Sequence, residues 1–144
     1  MIRINPERTA SLTETLTALW KASVQASHYF LTAEDIQRLV PFAKIGIRNV
    51  STLLVSYSGE NPVGFLGIDS GKIEMLFVAP EYFRKGIGKE LVTLAIEEYG
   101  VKYVDVNEQN PQAAGFYYRM GFSVFKRCKR DEQGNPFPIL KMKR

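Results

Sequence analysis

Residues Lys72–Leu91 read KIEMLFVAPEYFRKGIGKEL, and the fold turns on how this stretch is parsed. Lys72–Val78 has the β-branched and apolar make-up of a strand, and Pro80 breaks it. Ile87, Leu91, Leu94 and Ala95 then recur at helical spacing up to Gly100, which predicts a helix closed by a C-terminal glycine. Between strand and helix lies Arg84-Lys85-Gly86-Ile87-Gly88-Lys89. Glycines there permit a tight turn whose N–H groups converge, and a helix N-terminus adds partial positive charge. With Arg84, Lys85 and Lys89 beside it, the segment is expected to bind an anion, most simply a phosphate or pyrophosphate. The dinucleotide fingerprint needs a third glycine where Leu91 stands, and a P-loop needs Ser or Thr where Glu90 follows Lys89. Nicotinamide and ATP/Mg sites are therefore disfavoured.

Downstream, Tyr103–Val106 reads as a short strand. Asn110 then caps a helix that has Pro111 at its first position and Gly121 just past its end. Phe122–Phe125 and Pro138–Met142 form a last pair of strands. Upstream, Thr52–Tyr57, Val63–Ile68 and Lys72–Val78 are separated by Ser58–Pro62 and Asp69–Gly71, the turn chemistry of an antiparallel meander. Before them come a short strand, Ile2–Ile4, and a helix striped by Leu12, Leu16, Leu19 and Trp20. A second helix opens at Thr32 with Asp35 in its first turn and runs toward Pro41. The chain is expected to be a single α/β (α+β) domain over residues 1–144, antiparallel at first and strand–helix–strand–helix later.

Composition narrows the functions available. The 144 residues are 45% hydrophobic and 24% charged, with one cysteine, Cys128, and one histidine, His28. A disulfide framework and a Cys/His zinc cage are excluded, so no metal is expected. No stretch is long and apolar enough for a membrane span, and the first residues lack a signal-peptide core, so a cytoplasmic protein is expected. The net charge of +4 is uneven: residues 1–120 carry 12 basic and 13 acidic side chains, the last 24 carry seven and two. Because Lys141 and Lys143 alternate with Leu140 and Met142, the excess reads as the wet face of a strand rather than a nucleic-acid patch. A hydrolase is disfavoured, since no G-x-S-x-G occurs and one histidine would have to serve any triad.

The loop resembles motif A of the GNAT (Gcn5-related) N-acetyltransferase superfamily, where a strand leads through Gln/Arg-x-x-Gly-x-Gly/Ala into a helix. A second element of that family is matched by Asn110-x-x-Ala113-x-x-Phe116-Tyr117-x-Arg119-x-Gly121-Phe122. The resemblance spans essentially residues 1–144. It extends to a bacterial subgroup through Ser23 and His28 before Phe30-Leu31, Asn107-Glu108-Gln109-Asn110, and Gly134-x-Pro136-x-Pro138. It implies the acyl-CoA N-acyltransferase fold: a mixed, mostly antiparallel sheet of six to seven strands flanked by about four helices. It also implies acetyl transfer from acetyl-CoA, as cosubstrate, to a primary amine by direct attack in a ternary complex. A domain that binds or senses acyl-CoA without chemistry is the alternative. Phe83 departs from the pattern, standing where the family's loop opens with Gln or Arg; Arg84 follows where glycine is common.

By resemblance, the cofactor would meet backbone groups of Leu76, Phe77 and Val78, the loop Arg84, Lys85, Gly86, Ile87, Gly88 and Lys89, and Asn110, Phe116 and Tyr117. Tyr117 is the expected general acid, since a phenol stays protonated at neutral pH and can donate to a departing thiolate. Tyr118 is read as structural, and Arg119 as either reaching the nucleotide phosphates or solvating the helix end near its negative dipole. Three side chains compete as base. Strand alternation puts Glu74 on one side with Leu76 and Val78, facing the acceptor. His28 titrates nearest neutrality and by resemblance sits among the acceptor-binding helices. Glu108, at the end of the next strand, ranks lower, and a water relay is also open. Trp20, His28, Tyr29 and Phe30 suggest an aromatic cleft. The acceptor, a small-molecule or peptide amine, and the oligomeric state, a homodimer included, stay undecided.

Overall fold

In the computed structural model, which describes residues 1–144, the chain order is β1 (Ile2–Ile4), α1 (Ala10–Ser27), α2 (Ala33–Asn49), β2 (Thr52–Ser58), β3 (Asn61–Asp69), β4 (Lys72–Val78), α3 (Ile87–Tyr99), β5 (Tyr103–Asn107), α4 (Pro111–Arg119), β6 (Ser123–Cys128) and β7 (Ile139–Lys143). A single 3-10 turn, Pro80–Tyr82, links β4 to the loop before α3. The strands form one mixed sheet in the order β1-β2-β3-β4-β5-β7-β6. Every neighbouring pair is antiparallel except β4 and β5.

The sheet is apolar on both faces, and each face has its own pair of helices. Leu54, Leu66, Val104 and Met142 pack beneath α3 and α4 with Leu91, Val92 and Phe122. Leu53, Val55 and Phe65 pack beneath α1 and α2 with Leu16, Val24 and Ile47. The consecutive apolar residues 53–55 of β2 are thus shared between the two cores, the pattern of a strand covered on both faces. Gly64 lets α3 approach β3: a Cβ there would lie 2.9 Å from Ile87 Cγ2.

Local signals hold at the helix ends. Thr32 and Asp35 form a reciprocal capping box, with Asp35 N–H donating to Thr32 Oγ1 and Thr32 N–H donating to Asp35. Asn110 Oδ1 accepts from Ala113 N–H, and Gly100 ends α3 in the left-handed region at φ 60°. At the far end of α2, the Arg8 guanidinium donates to the carbonyls of Ile47, Arg48 and Val50. That contact places a cation on the negative end of the helix dipole.

Two expectations needed revision. The second helix does not stop near Pro41 but continues to Asn49. Pro41 is exposed, so the carbonyl it leaves without an N–H partner on that side of α2 can be met by water. The expected last pair of strands is present, β6 and β7 pairing antiparallel at the end of the sheet with β7 on the inner side against β5. The basic face is partly engaged: Lys141 reaches Asp105 at 3.5 Å, while Lys143 is exposed and Met142 is fully buried.

The second revision concerns β4. Gly67 opposes Met75 but Ile68 opposes Ile73, so Glu74 is the extra residue of a β-bulge. A bulge slips the alternation by one. Ile73 therefore packs on the α3/α4 face along with Leu76, and Met75 and Phe77 pack on the α1/α2 face. Glu74 does not share the side of Leu76 and Val78, because the period of two that predicted it is interrupted at that residue.

Candidate active site

β4 and β5 pair through only two steps, Lys72↔Tyr103 and Ile73↔Val104, and then diverge. Beyond Ile73 the β5-facing edge of β4 has no strand partner. Its main-chain groups are assigned by the ladder on the other side. Ala79 N–H bonds Val63 O, and the register pairs Val78 with Gly64, Phe77 with Phe65 and Leu76 with Leu66. In an antiparallel ladder, hydrogen-bonded pairs alternate with pairs whose polar groups point outward. Leu76 and Val78 therefore turn their N–H and C=O into the gap, whereas Phe77 spends its own on β3. Of the three backbone contacts expected from the sequence, two are open for a ligand.

The gap runs into a groove of about 800 Å³. Its floor is Leu76, Phe77 and Val78, and one end is the loop with Arg84, Gly86, Ile87, Gly88 and Lys89. Asn110, Ala113, Phe116 and Arg119 of α4 form one wall, and Ser23, Ser27 and His28 of α1 close the other. Gly86 caps α3 at φ 85° without any side-chain cap, and the first helical bond is Glu90 N–H to Gly86 O. The N–H groups of the preceding turn are left without intrahelical partners and face an anion's position. Arg84 holds φ 62°, a left-handed conformation rare outside glycine. That explains why glycine is common at this place in the loop motif: the turn demands the conformation and Arg84 adopts it under strain.

Not every expected residue reaches the groove. Lys85 leans back over the Tyr82 ring at 5.1 Å. Tyr117 sits behind the wall, 6% exposed, edge-on to Phe116 and Phe122 with centroids 5.0 and 5.6 Å away. Burial pushes its phenol pKa well up, so it remains a proton donor throughout the neutral range. Asn110 spends its Oδ1 on the helix cap and leaves its amide N–H groups free toward the groove. Phe83, which departs from the loop motif, lines the groove as an apolar surface. Arg119 lines it too, which favours the reading from its place in the second motif over a merely solvated helix end.

The three base candidates are separated. His28 caps the C-terminus of α1, its ring packed against Phe30 at 5.4 Å and Phe77 at 6.3 Å. Burial lowers its pKa below the ordinary 6.5, so the imidazole is neutral at physiological pH. Glu74 lies across Phe77 in a second cavity of about 410 Å³, lined by Trp20, Leu39, Phe42, Ile47 and Met75 with Lys72, Asp105 and Glu132 at its mouth. Partial desolvation, helped by Glu132, Asp69 and Asp105 and opposed by Lys72, raises its carboxyl pKa. Glu108 is committed elsewhere. It is bidentate on Arg127 of β6, with Arg127 Nη2 to its Oε1 at 2.9 Å, and that pairing depresses its pKa. A carboxylate so held is a poor proton acceptor.

Residues 10–144 match the family model described as an acetyltransferase (GNAT) domain. This chain belongs to the GNAT acetyltransferase family. It is 34% identical over 129 residues to the peptidyl-lysine N-acetyltransferase YjaB of Escherichia coli K12, covering 90% of this chain and 88% of that protein. The solution structure of apo YjaB from E. coli superposes with a TM-score of 0.87 at 34% identity, over 99% of this chain and 97% of that one. The fold is shared more widely. The PaiA N-acetyltransferase of Thermoplasma acidophilum, solved with coenzyme A, matches at a TM-score of 0.73 and 23% identity over 100% and 99% of the two chains. As a GNAT enzyme, the chain transfers an acetyl group from acetyl-CoA to an amine, which decides between catalysis and mere acyl-CoA binding. No helix is long and apolar enough to cross a membrane.

Proposed function

We propose that the chain, acting as a single domain in the cytoplasm, acetylates the ε-amino group of lysine in a peptide or protein by direct attack on acetyl-CoA. The observation that carries this is the coincidence, in one groove, of the outward main chain of Leu76 and Val78 with the uncapped N-terminus of α3. A pyrophosphate fits the second feature by charge and donor type, with Arg84 and Lys89 adding positive charge. Acetyl-CoA supplies the activated acetyl thioester; the chain supplies donors, a base and an acid. Leu76 and Val78 turn their N–H groups out about 7 Å apart along β4, so one donates where negative charge grows on the thioester oxygen and the other serves the rest of the acyl-pantetheine arm. The relative's peptidyl-lysine activity supports the acceptor class.

His28 takes the role of base. It removes one proton from the acceptor ammonium and passes it to solvent, leaving a nitrogen lone pair to form the new C–N bond. As the C–S bond breaks, the departing thiolate takes up the proton that the acetylated nitrogen releases; the Tyr117 hydroxyl, kept protonated behind Phe116, relays that proton once the Phe116 ring turns aside. One proton leaves with CoA thiol and one with solvent, so the step balances. Glu74, across Phe77 in the second cavity, attracts the cationic acceptor as it approaches rather than moving a proton. Asn110 spans helix cap and pantetheine arm.

A lysine-containing peptide, incubated with acetyl-CoA and the protein, is expected to release CoA thiol and gain one acetyl group by mass. The same peptide carrying Nε-acetyllysine should give none. CoA binding by calorimetry with no thiol release across a panel of peptides and small amines would overturn the reading.

A further inference from the structure

His28 can act as a base only through a nitrogen that carries no hydrogen, and a neutral imidazole has one of each kind. Which one is bare is set by the bond the other makes. Ser27, the last residue of α1, settles this by a count of hydrogens. Its Oγ lies 2.7 Å from the carbonyl oxygen of Ser23 and 2.8 Å from His28 Nδ1. A carbonyl oxygen only accepts, so the one hydroxyl hydrogen of Ser27 goes to Ser23. Toward His28 the same oxygen then offers a lone pair, and Nδ1 must be the donor.

From this geometry we infer that Ser27 is a positioning residue that locks His28 with its hydrogen on Nδ1, leaving Nε2 as the nitrogen that accepts the substrate's proton. Several contacts hold the ring in the place where this matters. Its main-chain N–H is tied to Val24 O at 2.8 Å, and Phe30 and Phe77 pack against the imidazole. In water a neutral histidine prefers hydrogen on Nε2, so without Ser27 the ring would present its basic nitrogen to α1 instead of to substrate. Protonation of Nε2 leaves the Nδ1–H bond to Ser27 intact, so the same contact serves both halves of the proton's passage. The inference rests on the reading of His28 as the base.

His28 is the one histidine in the chain, so its ring nitrogens are unambiguous in a long-range proton–nitrogen correlation spectrum of 15N-histidine-labelled protein. The neutral wild-type ring should show Nδ1 as the protonated, pyrrole-type nitrogen and Nε2 as the bare, pyridine-type one. Ser27→Ala should move the ring toward the opposite tautomer and lower kcat on the order of tenfold, with the KM for acetyl-CoA little changed. Ser27→Thr should restore both readouts. A wild-type ring bearing hydrogen on Nε2, or a Ser27→Ala enzyme with unchanged tautomer and kcat, overturns the inference. Failure of the wild type to transfer acetyl groups would instead strike the functional reading, because the spectrum reports the tautomer without turnover.

Discussion

Phe77 stands between two cavities that differ in what lines them. On one side the groove presents main-chain groups, a helix N-terminus and a neutral histidine, all fixed by secondary structure. On the other, the smaller cavity presents an apolar face of α2 and long acidic side chains at its mouth. The first is suited to a ligand whose pyrophosphate and thioester do not vary. The second is built from side chains that can differ without disturbing the sheet, as expected of the part that chooses an acceptor. Chemistry and selection are thereby placed on opposite sides of one aromatic ring.

The largest test of that division is Tyr117→Phe, which should lower kcat by roughly two to three orders of magnitude while CoA affinity by calorimetry changes less than about twofold. A kcat within threefold of wild type would remove Tyr117 from the chemistry. Next comes a paired experiment across Phe77. His28→Gln should depress kcat by roughly 10²-fold with the amine KM nearly constant, whereas Glu74→Gln should raise the amine KM about tenfold with kcat nearly constant. If the two variants exchange signatures, the base lies in the smaller cavity and the division is wrong.

Histidine titration gives a smaller effect with a definite sign. The folded-state pKa of His28 lies below the unfolded value of 6.5, so the unfolded chain binds more protons between the two. Stability contributed at this residue is full above pH 6.5 and is lost as pH falls through the lowered folded value. Urea midpoints of wild type should therefore drop between pH 7.5 and pH 5 more than those of His28→Gln; equal drops would show that the ring is as easily charged folded as unfolded. The smallest expected effect concerns the loop. Arg84→Gly should raise stability by about 1 kcal/mol in denaturant, because glycine occupies the left-handed region without strain. The same variant should weaken CoA binding, separating the backbone demand of the loop from its charge.

Much of this was legible in residues 72–122. Caps and breakers are local chemistry, so Asn110, Pro111, Gly100 and the three meander strands sit where their side chains require. The loop could be read as an anion site before any family was considered, because its glycines and cations act through the backbone. What failed was long-range. The bulge at Glu74 depends on how β3 meets β4, not on β4 itself, so alternation along one strand gave the wrong side. The commitment of Glu108 to Arg127 joins residues 19 apart across two strands, and nothing local to Glu108 announces it. Tyr117 lies behind Phe116 for a similar reason: helical spacing gives the face, and packing decides the depth.

The position of β7 bears on how the molecule comes into being. This strand is made after both of its neighbours, yet it is the one that joins them: β5 and β6 have no ladder with each other, and Met142 fills the core beneath α3 and α4. A nascent chain extruded as far as β6 can assemble the β1–β4 meander and its helices, but the far third of the sheet has nothing to zip onto. Completion of that third must wait for residues 139–143 to be inserted between two strands already in place. Until they are, β5 offers an unpaired edge, so the arrival of β7 sets the moment at which this edge stops being open to aggregation.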